Sequence, residues 1–244
     1  MIINKKVGQL GNRIFYFAHC IATAIETGDT VCNLAFDEYA KYFKTTGNDL
    51  FCRYPPKRSI YPFGLLRKIL YYFSRGTNKF NLEDINDALI QKHSDEIKRY
   101  FEPVDSIQTN VKRLIDKSRK QGDILIGLHI RRGDYKKYCG GKYYYSIKDY
   151  TTKMHDAERL FNGKRVSFLI CSNNIWRSNG NLFDGHSITF GTHHLVEDMY
   201  SLAQCDYIIG PPSTYSMWAS FYGNVPIYII KNIKDNIIFQ SRAL

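Results

Sequence analysis

The sequence predicts an α/β protein whose C-terminal half is a doubly wound parallel sheet. From residue 123 onward, apolar runs of strand length alternate with helical patterns in the order β-α-β-(β)-α-β-α-β, and this alternation is typical of parallel sheets. The run Ile124–Ile130 is apolar at nearly every position, as expected for a strand that is buried on both faces. In the first half, a strand, a glycine turn, a helix and a second strand predict another α/β unit.

The N-terminal unit begins with a short strand at residues 2–3. After the segment 7–12, which contains two glycines, apolar residues recur at helical spacing until Gly28, and this spacing predicts one helix with a broad apolar face. Val31–Leu34 is the next predicted strand, and residues 81–120 are polar with helical periodicity. A turn with two glycines is common without any ligand, so this unit indicates a fold and no function by itself.

The polar stretch Lys117–Asp123 stands immediately before the main strand and marks the predicted domain boundary. We therefore expect an N-terminal lobe of residues 1–120 and a C-terminal lobe of residues 121–244. In the C-terminal lobe, Ser146 begins a capping box that opens a helix. The remaining predicted elements are helices 146–161, 195–204 and 215–222, the last ended by Gly223, and strands 166–171, 187–190, 206–210 and 225–230.

The composition of the chain limits the cellular compartments and the classes of binding partner that we expect. A net charge of +11 favours polyanions, anionic membrane surfaces or nucleotide substrates without choosing among them. No run approaches the roughly 18 apolar residues that a membrane span requires, and the N-terminus lacks the apolar core of a signal peptide, so we expect a cytoplasmic location. The six cysteines form no C-x-x-C pair, in agreement with a reducing compartment. Four of them have apolar neighbours and are predicted to be buried thiols: Cys20, Cys32, Cys171 and Cys205.

A basic aromatic segment occupies residues 41–79, with nine Lys or Arg, one acid and nine Tyr or Phe. Within this segment, residues 65–75 can form a basic amphipathic helix. The helix either packs its apolar face on the core, which is the commoner meaning of the pattern, or makes peripheral contact with an anionic membrane. Nucleic-acid binding is not expected, because no recognised nucleic-acid module is visible.

Charged side chains follow the main strand directly. His129 stands near its end, and Arg131, Arg132 and Asp134 come immediately after it. In open α/β sheets, ligands bind outside the carboxyl ends of the strands, and two adjacent arginines are costly to desolvate without an anion. Guanidinium groups match phosphate oxygens bidentately, so we expect a phosphate-bearing ligand here. The alternative is a solvated turn in which Arg131 forms a salt bridge with Asp134.

A second candidate anion site follows the strand at 206–210. Ser213 and Thr214 stand at the start of a helix, where backbone N–H groups and the helix dipole favour negative charge; plain N-capping is the alternative. His193 and His194 have no carboxylate or cysteine at ligand spacing, so a loop or helix-start role is expected and no metal site is predicted.

Three blocks of the sequence resemble the α-1,2-fucosyltransferases, or glycosyltransferase family 11, and more loosely the core α-1,6- and protein O-fucosyltransferases. The segment from His129 to Asp134 is similar to the family motif His-x-Arg-Arg-x-Asp. The segment from Gly8 to Arg13 resembles the family opening Gly-Gly-Leu-Gly-Asn-Gln, with Gln and Arg in place of the second Gly and the last Gln. The run 197–218 resembles the C-terminal block that reads Met-Ser-x-Cys and then Ser-Thr-Phe-Ser-Trp-Trp.

The resemblance implies a fold and an activity. The fold would be a compact GT-B-like arrangement of two Rossmann-like lobes, with an acceptor-side N-terminal lobe and a C-terminal lobe that binds the nucleotide sugar. The activity would be metal-independent, inverting transfer of fucose from GDP-fucose to a hydroxyl of an oligosaccharide, polysaccharide or lipid-linked glycan, in α-1,2 linkage and without a cofactor. The open alternatives are a transferase for another GDP-sugar and a non-catalytic protein that binds polyanions through residues 41–79.

The resemblance also implies roles for individual residues. Arg131 and Arg132, with the N–H groups near Ser213 and Thr214, would stabilise the leaving pyrophosphate, and Asn12 would position the acceptor. Asp134 would be a general base or would hold an arginine; we favour the second role, because a carboxylate beside two arginines is a poor base. The predicted catalytic residues are Arg131, Asn12 and Asp134, and the predicted donor-binding residues are Gly11, Asn12, His129, Arg131, Arg132, Asn173, Asn174, Asp198, Ser213, Thr214 and Ser216.

The two asparagines Asn173 and Asn174 depart from the family pattern. They stand where the family reads Ser-Asp-Asp-x-x-Trp, in which an acid pairs with the guanine edge. An asparagine carbonyl can accept hydrogen bonds from guanine N–H groups, but it cannot form a charge-assisted bond. The sequence therefore supports the phosphate site more strongly than the guanine site.

Overall fold

The structure is a computed structural model that describes residues 1–49, 51–56, 85–173, 180–183 and 185–241. The chain divides into two compact units, Met1–Ile107 and Gln108–Ala243. The basic amphipathic helix predicted at 65–75 lies outside the described residues, and so does Asn174. Within the described ranges, no helix combines the length and the apolar character that crossing a bilayer requires.

The N-terminal unit is built around one long helix and a small sheet. The order of its strands is β1-β2-β3, with β2 parallel to β1 and antiparallel to β3. The predicted long helix is confirmed and ends at Gly28, whose φ of 71° is the left-handed conformation that glycine adopts without strain. The elements are β1 (Ile2–Ile3), α1 (Leu10–Thr27), β2 (Val31–Asn33), α2 (Asp37–Ala40), β3 (Arg53–Tyr54), α3 (Asp87–Lys92), α4 (Ser94–Tyr100) and the start of α5 (Asp105–Arg119).

Aromatic rings fill the core of this unit. Phe17 on α1 meets Phe36, Tyr100 and Phe101 edge to face, with ring centroids 5.3–5.5 Å apart, and Phe43 joins the same cluster. Edge-to-face pairs are a favoured arrangement of buried aromatic rings. Several of the aromatic residues that gave the sequence its unusual composition therefore serve packing.

The boundary between the units lies inside α5, at Ile107, whereas the sequence placed the lobe boundary at residue 120. The side chains of α5 explain the difference. Asn110 Nδ2 donates to Glu197 Oε1 at 2.7 Å, and the Arg119 guanidinium donates to both carboxylate oxygens of Asp206 at 3.0 Å. Most of the helix consequently packs with the C-terminal unit, and the polar stretch 117–123 marks the end of a helix.

The C-terminal unit is the predicted doubly wound sheet. Five parallel strands lie in the order β6-β5-β4-β7-β8. The chain moves from β4 outward through β5 and β6 and then crosses to β7 and β8, so the strand order reverses between β4 and β7. The elements are β4 (Ile124–Ile130), α6 (Ile147–Leu160), β5 (Val166–Ser172), β6 (Ser187–Phe190), α7 (Leu195–Leu202), β7 (Tyr207–Gly210), α8 (Thr214–Gly223) and β8 (Ile227–Ile229).

Helices cover both faces of the central strand. Ile126, Leu128 and Ile130 share one face and belong to a core cluster with Met154 of α6. On the other face, a Cβ at Gly127 would lie 2.6 Å from a methyl carbon of Leu202, the last residue of α7. The glycine that interrupts the apolar run therefore permits close approach of a helix, which accounts for a strand buried on both sides.

Two local predictions gave different outcomes. The capping box at Ser146 is confirmed, because Ser146 Oγ accepts from Asp149 N and the Asp149 carboxylate accepts from Ser146 N. The helix end predicted at Gly223 is wrong by one residue: Gly223 is still helical and Asn224 is the left-handed cap, with φ 54°. Gly223 is glycine because a Cβ there would lie 1.9 Å from the Ala203 carbonyl oxygen.

All six cysteines are free thiols. Cys20, Cys171 and Cys205 are buried, as predicted. Cys32 is partly exposed, so the prediction of a buried thiol is wrong at this position.

Candidate active site

The carboxyl edge of the five-stranded sheet gathers most of the residues singled out in the C-terminal lobe. Arg131 follows β4, Asn173 follows β5, Gly191 follows β6 and Ser213 lies in the loop after β7. The loops after β4 and β7 flank the point where the strand order reverses. In open α/β sheets, this switch point is where a crevice forms and ligands bind.

Arg131 and Asp134 form a two-pronged ion pair. Arg131 Nε donates to Asp134 Oδ1 at 3.0 Å, and Nη2 donates to Oδ2 at 2.9 Å. The Arg131 guanidinium also lies over the ring of Tyr135, 5.7 Å from its centroid. The salt bridge that the sequence offered as an alternative is present, and it fixes the orientation of an arginine at the switch point.

Arg132 has a different environment. Its Nη1 donates to the carbonyl oxygen of Tyr145 at 2.9 Å, and its guanidinium carbon lies 4.1 Å from the ring centroid of Tyr144. Among the described residues no carboxylate pairs with Arg132, and its Nε–H is buried without an acceptor. Tyr145 is itself anchored, because its hydroxyl donates to the carbonyl of Ile230 at 2.9 Å. The Arg132 guanidinium is therefore partly buried and is held by a carbonyl and an aromatic ring, neither of which carries a negative charge.

Asn173 supports the same loop. Its Oδ1 accepts from the backbone N–H of Arg132 at 2.9 Å, and its Nδ2 would lie 3.0 Å from a Cβ at Gly133. Gly133 also has a φ of 56°, which favours glycine. The second lone pair of the amide oxygen is the one that a further donor would use.

The N-terminus of α8 forms the other side of the switch point. Ser213 is the N-cap, and its Oγ accepts from Tyr215 N at 3.3 Å. Thr214 is the first helical residue, and buried Ser216 donates through Oγ to the Ser213 carbonyl at 3.3 Å. N-capping is thus present, in a helix whose first turn carries no acidic residue.

A tyrosine joins the two loops across the switch point. Tyr135, three residues after Arg132, donates its hydroxyl to the carbonyl of Pro212 in the loop before α8. The stretch 135–145 is basic and rich in tyrosine, but the sequence pattern alone predicts no role for it. Tyr135 and Tyr138 stack with centroids 5.0 Å apart, and Tyr144 supports Arg132. The number of tyrosines in so short a loop was the signal for these supporting contacts.

His129 lies at the end of β4 and is buried against Tyr215, with ring centroids 5.0 Å apart. Burial, with a smaller contribution from nearby Arg131, lowers the pKa of His129 to about 3. Its Nδ1 has no hydrogen-bond partner within the described ranges. The imidazole is consequently neutral at physiological pH, and it packs against Tyr215 in the first turn of α8.

Asp198, in the first turn of α7, holds the loop that follows β6. Its Oδ1 accepts from Thr192 N at 2.8 Å and from Thr192 Oγ1 at 3.2 Å. A Cβ at Gly191 would lie 2.5 Å from the same oxygen. Burial raises the pKa of Asp198 to about 6, and the hydrogen bonds from Thr192 oppose that rise.

His194 is the N-cap of α7, as predicted, and its Nδ1 accepts from Glu197 N at 3.3 Å.

The remaining predicted residues belong to the N-terminal unit. Gly11 and Asn12 lie in the first turn of α1. Gly8 has a φ of 57°, and a Cβ there would lie 2.1 Å from Asn12 Nδ2, so the glycine turn makes room for the asparagine amide. Arg13, which replaces the usual glutamine of the family pattern, donates to the Gly8 carbonyl at 3.1 Å and to Glu38 at 2.9 Å. The departure at Arg13 thus has a structural role in holding this turn.

Comparison with known proteins shows the family. The sequence model described as glycosyl transferase family 11 matches residues 32–242. A search of curated proteins finds no match.

Three solved structures share the fold. A mutant of Arabidopsis thaliana FUT1 in complex with GDP is 13% identical, with a TM-score of 0.59 over 94% of this chain and 69% of that one. NodZ α-1,6-fucosyltransferase co-crystallised with GDP is 16% identical, with a TM-score of 0.58 over 93% of each chain. POFUT1 in complex with GDP is 10% identical, with a TM-score of 0.56 over 92% of this chain and 94% of that one.

At these identities the likeness establishes a common fold, and it confirms the predicted compact GT-B-like α/β class. The family match covers the whole carboxyl edge described above, including the Arg131–Asp134 loop and the start of α8. The chain therefore belongs to glycosyl transferase family 11 and is a glycosyltransferase.

Proposed function

We propose that the protein transfers fucose from GDP-fucose to a hydroxyl group of a glycan. The observation that carries the proposal is the environment of Arg132, a partly buried guanidinium at the switch point with no carboxylate partner among the described residues. A buried cation without a counter-ion is costly unless an anion joins it. A diphosphate supplies that charge, and guanidinium forks bind phosphate oxygens bidentately.

The identity of the donor rests on the family and on the proteins that share the fold. The FUT1, NodZ and POFUT1 structures each contain GDP, and NodZ has also been soaked with GDP-fucose. Since the same fold surrounds the carboxyl edge in this chain, GDP-fucose is the donor that we infer. The acceptor would be an oligosaccharide, polysaccharide or lipid-linked glycan, and no cofactor is proposed.

The reaction needs stabilisation of a leaving group. As the acceptor hydroxyl oxygen attacks the anomeric carbon, the bond from that carbon to the β-phosphate oxygen breaks and its electron pair remains on GDP. Attack from the opposite face inverts the anomeric centre, and we propose an α-1,2 linkage. Arg131, Arg132 and the N–H groups at the start of α8 would stabilise the new charge on GDP, so the step is proposed to proceed without a metal ion.

The proton of the acceptor hydroxyl needs a base, and Asp134 is poorly placed for that task. Both of its carboxylate oxygens accept hydrogen bonds from Arg131. A carboxylate in such a two-pronged ion pair has both oxygens engaged by the guanidinium. We therefore propose that Asp134 orients Arg131 and that another group removes the proton.

The other predicted residues receive roles of support. We propose that Asn12 positions the acceptor, with Gly11 beside it in the same turn. Asn173 would hold the Arg132 backbone, and Asp198 would hold the loop after β6. Direct donor contacts are proposed for Thr214 and Ser216, as for Ser213. Asn174 stays a predicted guanine contact outside the described residues.

The lobes divide these tasks in our proposal. The C-terminal lobe binds the nucleotide sugar, and the N-terminal lobe, which includes the basic segment 41–79, serves the acceptor. Cytoplasmic location and peripheral membrane contact stay predictions from the sequence.

Calorimetric titration of GDP-fucose, GDP-mannose and UDP-glucose, each with EDTA present, tests the proposal. We expect tight binding of GDP-fucose alone, and loss of that binding in Arg131→Ala. Selective binding of GDP-mannose would support the proposed phosphate site and would show that the donor sugar is mannose and not fucose. Binding of none of the three would refute the assignment and direct attention to polyanion binding by residues 41–79, which should weaken steeply with salt.

A further inference from the structure

Three metal-ligating side chains meet at the amino edge of the C-terminal sheet, opposite the edge that carries Arg131. His155 and Glu158 lie in the second half of α6, the helix that returns the chain to the start of β5, and His186 immediately precedes β6. Each offers one nitrogen or oxygen atom, and these atoms lie within 4.8 Å of one another. His186 Nδ1 is 2.8 Å from Glu158 Oε1, and His155 Nδ1 is 3.4 Å from Glu158 Oε2.

We propose that His155, Glu158 and His186 bind a divalent transition-metal ion. Zn²⁺ is the ion that best matches these ligands, and the site connects α6 to the start of β6. The site is separate from the proposed donor site, and its ligands come from α6 and from the residue before β6.

The separations fit a tetrahedral zinc centre. Zinc binds imidazole nitrogen and carboxylate oxygen at about 2.0–2.2 Å, so neighbouring ligand atoms of a tetrahedral site lie roughly 3.3 Å apart. The closest contacts of the two imidazoles, 2.8 Å and 3.4 Å, are to different oxygens of the Glu158 carboxylate. One atom from each of the three side chains lies within 4.8 Å of the others, so a small rotation of the side chains brings the three atoms to this spacing. Two imidazoles and one carboxylate form a ligand set that zinc uses, with a fourth position for water. The depression lined by Thr152, His155, Glu158, Arg159 and Asn162 is open to water, and the Arg159 guanidinium in this lining pairs with Asp156 Oδ1 at 2.6 Å.

The second imidazole distinguishes this cluster from an ordinary His–Glu hydrogen bond. The side chain of His186 is fully buried, and within the described ranges its one polar partner is the Glu158 carboxylate. The ring of His155 lies 4.3 Å from the ring of His186. Two imidazoles at this distance can direct a nitrogen lone pair at the same ion, so a shared cation gives both rings and the carboxylate a common partner.

The same chain contains a pair that lacks the second imidazole. His93 Nε2 contacts Glu26, and Lys92 completes the group. A lysine ammonium cannot bind a metal while it is protonated, so this pair has one imidazole and one carboxylate only. It provides a matched control, because it is a His–Glu contact in the N-terminal unit without a second histidine.

Titration of the full-length, EDTA-stripped protein with ZnCl₂ in a calorimeter, and with CoCl₂ followed by visible absorption, tests the site. We expect one metal ion per chain, and we expect bound Co²⁺ to show the visible absorption bands of a tetrahedral site. His155→Ala should weaken Zn²⁺ binding more than about tenfold, because even loss of an outer-shell partner costs 10–100-fold, and Glu158→Gln should do the same. The His155 side chain is 60% exposed, and its removal leaves the His186–Glu158 contact in place, so the variant should fold.

Controls separate this site from other ligands on the chain. His93→Ala and Cys139→Ser, which removes the exposed thiol, should bind Zn²⁺ as the wild type does. GDP titrated in EDTA should bind equally to the wild type and to His155→Ala, whatever the outcome of the donor experiments. No saturable Zn²⁺ binding by the wild type, or unchanged binding by His155→Ala, would overturn the assignment.

Discussion

Replacing Arg132 with alanine removes a charged group whose contacts in the described structure are one carbonyl and one aromatic ring. Arg132 Nη1 donates to the Tyr145 carbonyl at 2.9 Å, and the guanidinium lies over Tyr144. A hydrogen bond from a charged donor contributes about 1.5 kcal/mol, and a cation–π contact about 0.5–1 kcal/mol. Since no carboxylate loses its partner among the described residues, we expect Arg132→Ala to lower the free energy of unfolding by about 2 kcal/mol.

The effect of the same substitution on GDP should be larger. A bidentate contact with a phosphate comprises two charge-assisted hydrogen bonds, and loss of the pair costs about 3 kcal/mol when each contributes about 1.5 kcal/mol. One factor of ten in Kd corresponds to about 1.4 kcal/mol, so the Kd for GDP should rise about a hundredfold. Calorimetry measures the affinity, and urea denaturation measures the stability.

Arg165→Ala is the matched control. Arg165 pairs with Asp123 at 2.9 Å, at the amino edge of the same sheet, and is 72% exposed. It carries the same charge, so its removal tests whether GDP responds to the net charge of the lobe alone. We expect the Kd for GDP to change less than twofold. If Arg132→Ala folds and binds GDP as the wild type does, the phosphate role of Arg132 is refuted. If Arg132→Ala and Arg165→Ala lose the same affinity for GDP, the effect of Arg132 is only the long-range attraction between its charge and the phosphates.

Three further predictions concern the loops, the buried imidazole and the glycine turn. Tyr135→Phe removes the hydroxyl that donates to Pro212, so it should cost about 1 kcal/mol of stability and weaken GDP binding severalfold, by denaturation and calorimetry. Burial depresses the pKa of His129 to about 3, whereas an unfolded histidine titrates near about 6.5; the folded state binds fewer protons, and stability should fall as the pH drops from about 6.5 toward 3. At pH 5.5 this loss is about 1.4 kcal/mol relative to pH above 7, and it should be absent from His129→Leu in parallel urea titrations. Gly8→Ala forces a left-handed φ of 57° and crowds Asn12 Nδ2, so it should destabilise the protein by about 1–2 kcal/mol and reduce turnover while leaving the affinity for GDP unchanged.

Each of these predictions has a control or a contrary result. Tyr138→Phe, which removes a hydroxyl from the ring stacked on Tyr135, should leave GDP binding intact. Identical pH slopes for the wild type and His129→Leu would mean that the imidazole is accessible to protons in the folded state. For the glycine turn, Gly28→Ala supplies the comparison: its φ is also positive, at 71°, but no atom lies within 4 Å of the added Cβ. Equal turnover in the two glycine variants would remove the proposed role of Asn12.

Local signals explain why most of the helices and strands could be predicted. Apolar spacing specifies the face that an element buries, and it placed α1 and β4 correctly. The capping box at Ser146 and the turn at Gly28 depend on bonds within a few residues, so they are legible in the sequence. The two-residue strand β3 could not be predicted, because only its pairing with β2 defines it. The extent of α5 in the C-terminal unit also escaped, because side chains such as Arg119 find their partners 87 residues away.

The sequence by itself determined the α/β class, the family resemblance and the arrival of arginines at the end of a buried strand, because each is written in contiguous residues. The tertiary structure decided which groups meet: Arg131 with Asp134, Tyr135 with Pro212, and His155 with His186. Parallel topology brings distant loops to one edge of the sheet, and the strand order that sets their neighbours has no local signal. The charge on Arg132 could be read from the sequence, but the lack of a carboxylate beside it among the described residues appears only when the chain is folded.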